Sequence, residues 1–174
     1  LAAGYQPIGA TMVSNKVFAA FRDGPGSFQH GHTYMGHPTA CAAALAVQRV
    51  IEEGNLLAAV NSQGGALAAA LNERFGNQYY VGDIRGRGLF RGIELVKDRA
   101  TKEPFDPALK LAARIKAEAF TRGLICYPDS GCVDGISGDH ILLAPPFIIN
   151  GSEIAEVVDK LGQAVDAAFA DAGI

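Results

Sequence analysis

Apolar residues recur at spacings of three and four along several stretches of the chain. Leu56, Val60, Gly64, Leu67, Leu71 and Phe75 form one such stripe, which predicts a helix with one buried face, opened by Asn55 as its N-cap. Gly64 and Gly65 each weaken that helix by about 1 kcal/mol relative to alanine, unless close packing is their purpose. Ile154, Val157, Val158, Leu161, Val165 and Phe169 make a second stripe near the end of the chain. Asn150 and Glu153 stand before it at the spacing of a capping box. Asp106-Pro107 pairs a capping carboxylate with proline at the first helical position and predicts a helix running to Gly123. Another runs from Pro38 to about Glu53, with Gly54 as its stop, and Ser14-Asn15 marks a further helix start. Short apolar runs at residues 8–13, 124–127 and 141–143 read as strands, as do the stretches around 86–88 and 89–96. The result is an interrupted α/β pattern without internal repeats or low-complexity segments.

Two regions follow. Residues 1–60 hold one expected strand, a polar loop and a helix; such a strand belongs inside a sheet, so unpaired edges and exposed apolar surface are expected there. Residues 61–174 are enough to bury a core of their own.

Composition narrows the function classes. With 15 basic and 18 acidic residues the net charge is −3, which gives no reason to expect nucleic acid or an anionic membrane as partner. No apolar run approaches the roughly 18–20 residues that cross a bilayer, and the first residues do not read as a signal peptide. Cys41, Cys126 and Cys132 are an odd number at unpatterned spacing, which suggests a reducing cytoplasm and inert thiols, with Cys41 buried on its alanine-rich helix.

Candidate chemistry concentrates in Phe28-Gln29-His30-Gly31-His32-Thr33-Tyr34-Met35-Gly36-His37-Pro38. Pro38 suits the first turn of a helix, whose free N–H groups and positive dipole end then point into the loop. Three readings stand side by side. The histidines could be surface polar residues in a tight turn; His30, His32 and His37 could be metal ligands of a hydrolase, although their spacing matches none of the usual zinc patterns; or the loop is an anion cup for a phosphorylated ligand.

Three segments carry a resemblance. Leu1-Ala2-Ala3-Gly4-Tyr5-Gln6-Pro7-Ile8-Gly9-Ala10, then His30-Gly31-His32-Thr33-Tyr34-Met35-Gly36-His37-Pro38, then Gly138-Asp139-His140-Ile141-Leu142-Leu143-Ala144-Pro145-Pro146 together resemble the C-terminal part of a class III aminotransferase of the omega-transaminase branch. The resemblance implies an α/β fold, that of the fold-type I transferases, with residues 1–60 ending the large domain and 61–174 forming the small one. It implies pyridoxal 5′-phosphate (PLP) as cofactor, an amine or amino acid donor, a 2-oxo acid or aldehyde acceptor, and a homodimer with the active site at its interface. It also implies that Thr33 holds the cofactor phosphate across that interface with His32 beside it. The family's Schiff-base lysine sits in a Lys-Gly pair immediately before the segment that starts here at Leu1, so no catalytic residue is expected in these 174 residues, which alone would be inactive. Lys16, Lys97, Lys102, Lys110, Lys116 and Lys160 read as surface lysines. A non-catalytic dimerisation or binding fragment is the alternative.

One departure bears on substrate. Many relatives place an arginine two residues before Ala-Pro-Pro to pair with a substrate carboxylate; Leu142 stands there, and Asp134-Gly135-Ile136-Ser137 supplies none. Arg85 and Arg87 are the remaining candidates, and both read as structural, bonding carbonyls or carboxylates nearby. The glycines around them form G-x-G-x-x-x-G, but no helix is expected next, so a dinucleotide fingerprint is not met.

Overall fold

The computed structural model describes all residues, Leu1–Ile174. They divide into two compact units, Leu1–Leu56 and Leu57–Ile174.

The first unit contains two helices, α1 (Asn15–Asp23) and α2 (Pro38–Glu53). Ser14 caps α1 through a hydrogen bond accepted from the Val17 N–H at 3.4 Å. The strand expected at 8–13 is not formed: the segment is irregular and Met12 is 92% exposed. An extended segment needs a neighbour to take its N–H and C=O groups, and this unit holds no strand. Nothing of α1 is buried and α2 buries only Ala40. Cys41 is therefore exposed rather than buried. Phe18, Phe28, Tyr34, Met35 and Leu45 are exposed as well, the apolar surface that the sequence leads one to expect.

Gly54 ends α2 in a right-handed conformation, with its N–H bonded to the Val50 carbonyl at 3.0 Å. Asn55 then takes φ +48°, so the left-handed joint between helices falls on Asn55, which does not adopt the extended backbone of an N-cap.

The second unit runs α3 (Leu56–Phe75, its first residue shared with the joint), β1 (Val81–Arg87), β2 (Phe90–Leu95), a 3-10 turn (Pro107–Leu109), α4 (Leu111–Thr121), β3 (Tyr127–Ser130), β4 (Asp139–Leu143) and α5 (Gly151–Ala172). The strands form one antiparallel sheet in the order β1-β2-β4-β3. Its registers align Ile84, Ile93, Ile141 and Pro128 in a row on the face turned to the core, and Asp83, Glu94, His140 and Asp129 in the next row on the opposite face. This period-two alternation buries one face and leaves the other polar. Leu67, Leu71 and Phe75 from α3, Ile115 from α4, and Leu161, Val165 and Phe169 from α5 complete the core. The entire hydrophobic core lies in this unit.

Caps set the helix ends. Asn150 Oδ1 accepts from the N–H groups of Ser152 and Glu153 at 3.0 and 3.1 Å, and Glu153 Oε2 accepts from the Asn150 N–H at 2.9 Å, the reciprocal box that the sequence predicts. The helix expected from Asp106 to Gly123 is split in two. Asp106 caps only the 3-10 turn, through the Ala108 N–H at 2.9 Å. Lys110 at φ +52° breaks the run, and α4 starts afresh with Leu111 fully buried. Gly123, at φ +72°, and Leu124 close α4 with N–H bonds to the Phe120 and Ala119 carbonyls, a Schellman motif. Because Leu124 is spent on that cap, the strand expected at 124–127 begins only at Tyr127. No helix is long and apolar enough to cross a membrane.

Candidate functional site

The loop at 28–37 ends in a turn from His32 to Met35, closed by the Met35 N–H on the His32 carbonyl at 2.9 Å. Gly36 follows at φ +73°, a conformation glycine adopts without strain. His37 caps α2, its Nδ1 accepting from the Ala40 N–H at 3.5 Å, with Pro38 at the first helical position. The helix start therefore presents fewer free donors than a bare terminus: Pro38 has none, His37 takes that of Ala40, and Thr39 keeps an N–H without a backbone partner.

His32 lines a cleft of about 1330 Å³ within this unit, together with Phe28, His30, Tyr34, Met35 and His37. The rings meet edge to face: Phe21 to Phe28 at 5.2 Å, Phe28 to His30 and His30 to His32 at 5.9 Å, and Tyr34 to His37 at 6.1 Å between centroids. Thr33 lies outside the cleft lining, exposed, with its hydroxyl free of any hydrogen bond in the chain. Of the two predicted site residues, adjacent in sequence, His32 lines the cleft and Thr33 does not. His30, His32 and His37 do not converge, and no group of three histidine, cysteine or acidic side chains is arranged to hold a metal ion.

The cations of the chain are mostly engaged. Arg22, in the cleft, bonds Asp23 through Nε and Nη2 at 2.6 and 2.8 Å. Arg85 bridges Asp83 and Glu94 at 3.0 and 2.6 Å, the structural role that its sequence context suggests. Arg87 is exposed and bonds neither a carbonyl nor a carboxylate, contrary to that expectation; it stands at the end of β1, opposite Phe90. Leu142 lies on the outer sheet face, between Gly92 and Tyr127 in register. Of the six lysines, five are exposed, and Lys160 is half-buried and paired with Glu156 at 2.6 Å. Burial pushes the Cys126 and Cys132 thiols up, away from the thiolate a nucleophile needs.

Sequence reasoning passes over two polar residues on the core face. Arg91 donates to the Gly86 carbonyl at 3.0 Å and the Gly64 carbonyl at 2.9 Å. Asp139 is 4% exposed. A signal exists for both: each keeps the strand phase of core residues, Arg91 between Leu89 and Ile93, and Asp139 two before Ile141.

Comparison with known proteins agrees with this architecture. Residues 1–165 match the aminotransferase class-III family. An uncharacterised aminotransferase of Schizosaccharomyces pombe is 40% identical over 170 residues, covering 98% of this chain and 37% of its own length. The gamma aminobutyrate transaminase 3 of Solanum lycopersicum is 33% identical over 168 residues, covering 95% and 31%. Among solved structures, a transaminase from the marine bacterium Virgibacillus superposes with a TM-score of 0.89 at 32% identity, covering 98% of this chain and 38% of that one. A PLP-bound amine transaminase from an uncultivated Pseudomonas species gives 0.85 at 35% identity, covering 96% and 36%. The chain belongs to the class III aminotransferases, and its fold is that of a C-terminal portion of the fold-type I PLP-dependent transferases. It spans about a third of the length of these relatives.

Proposed function

We propose that residues 1–60 are the end of the large domain and 61–174 the small domain of a homodimeric, cytoplasmic aminotransferase that moves an amino group from an amine or amino acid to a 2-oxo acid or aldehyde. The observation that carries this reading is the family match along residues 1–165. The three free thiols fit a reducing compartment.

The residues present fit the phosphate end of PLP. Thr33 offers an unbonded hydroxyl and Thr39 an unpaired N–H, close in sequence to the positive end of α2. When bound, PLP supplies the electron sink that makes a proton mobile on the carbon bearing the amine. Thr33 would donate its hydroxyl to a phosphate oxygen. It is exposed and outside the lining of its own cleft, which fits a phosphate held chiefly by the other subunit. His32, in the cleft wall, would flank the phosphate, its ring edge-on to that of His30 at 5.9 Å between centroids. The proton-moving lysine comes from the remainder of the intact protein, since the lysines of these residues sit on surfaces or in ion pairs.

The intact protein, supplied with an amine donor and a 2-oxo acid, is expected to transfer the amino group with parallel double-reciprocal plots, as a two-stage exchange requires. Cofactor-bound protein that transfers nothing to any acceptor offered would contradict the assignment.

A further inference from the structure

β3 is an edge strand of the sheet, and Pro128 guards it, since an edge proline offers no N–H to an incoming strand. The guard does not reach the residues before β3. Leu124 is tied to the Ala119 carbonyl, but Ile125 and Cys126 keep N–H groups without a backbone partner. Both line a cleft of about 430 Å³ between this segment, the turn after β4 and α5. Its lining is mostly apolar, and Ile125 and Ile148 stand in it at 87% and 71% exposure. Neither belongs to the core, which is complete without them. The charged residues of the lining are spent within the unit: Glu153 accepts the Asn150 N–H, and Lys160 pairs with Glu156 at 2.6 Å. An occupant that fits is therefore apolar and extended, and supplies carbonyls to Ile125 and Cys126 in the manner of an added strand.

We propose that this cleft is filled by an extended apolar segment of the same chain, from outside these 174 residues, laid along residues 124–126. The inference rests on the reading of these residues as one portion of a longer aminotransferase. They span about a third of the length of the relatives, so on that reading most of the intact chain lies outside them. The state of the charges favours a segment of the same chain over a separate partner. A separate protein is steered to its site by unpaired charge and bears the cost of bringing two molecules together. A tethered segment is held at high effective concentration and needs neither.

The test is photocrosslinking in the intact protein carrying Ile125→p-benzoylphenylalanine, which replaces an exposed side chain. The expected product has the mass of one chain and joins the peptide of residue 125 to one from outside these 174 residues. A product of twice that mass, which marks a second copy, a link to a separate protein, or no link at all would overturn the proposal and leave the aminotransferase reading standing. Amide exchange in the unaltered intact protein decides if the variant does not fold. The Ile125 and Cys126 amides should be slowed at least about 100-fold from their intrinsic rates, whereas an open edge leaves them unslowed and ends the proposal. An intact protein no longer than these residues would end both readings at once.

Discussion

Replacing Gly64 with alanine is expected to destabilise the second unit by about 2–3 kcal/mol, the upper range for an overpacked contact. A Cβ at Gly64 would overlap the carbonyl carbon and oxygen of Gly88. Gly88 sits in the turn between the paired residues Arg87 and Phe90, so yielding there would disturb the β1–β2 pairing. The Gly64 carbonyl also accepts from Arg91 Nη2 at 2.9 Å, while Arg91 Nε is already buried without a partner. Moving α3 outward to relieve the overlap would therefore strand more of a half-buried guanidinium. Gly65, one residue on, is exposed with nothing within 4 Å of an added Cβ, and Gly65→Ala should add up to about 1 kcal/mol through helix propensity. Denaturant unfolding of both variants reads the contrast. Equal shifts in the two would mean that the α3–hairpin contact is not close.

The second large effect concerns Thr33. In the intact protein Thr33→Ala should raise the dissociation constant for PLP about 10- to 100-fold, the worth of one hydrogen bond to a charged group, about 1.5–3 kcal/mol. Thr33→Ser should restore most of the affinity. Folding should be unaffected, because the side chain is exposed and bonds nothing in the chain. Pyridoxal without its phosphate supplies the control, since its weaker binding should not respond to the substitution. An unchanged constant for PLP, or equal losses for both compounds, would remove Thr33 from the phosphate site.

Local rules were enough wherever a segment carried its own partners. The capping box of Asn150 and Glu153, the stripe ending at Phe75, and Pro38 at the start of α2 all follow from contacts within a few residues. Close packing was an open alternative for Gly64 and Gly65 alike; that it holds for Gly64, against Gly88, and not for Gly65 was not readable. Elements that depend on distant neighbours were not readable. Residues 8–13 have strand composition but no strand to pair with. Lys110 breaks a helix that its flanking sequence would continue, a departure with Leu111 buried and Ala112 bonded to Asp139, 27 residues away. The 124–127 segment lost its first residues to a helix cap whose acceptor is Ala119. Arg91 and Asp139 were hidden because a polar residue in core phase has no recognisable partner until the fold brings in Gly64 or Ala112. At the site, the loop and the start of α2 were evident from the sequence. That His32 lines the cleft and Thr33 does not belongs to the turn closed by Met35, which spacing alone does not define.

The most direct test of the central claim is the intact mass of the protein isolated from its source after mild borohydride reduction, which fixes pyridoxal to any lysine that holds it. The account predicts a chain longer than these 174 residues, carrying the added mass of one reduced cofactor. A mass equal to these residues alone with nothing attached would contradict it, leaving an aminotransferase-like fold that binds without catalysing.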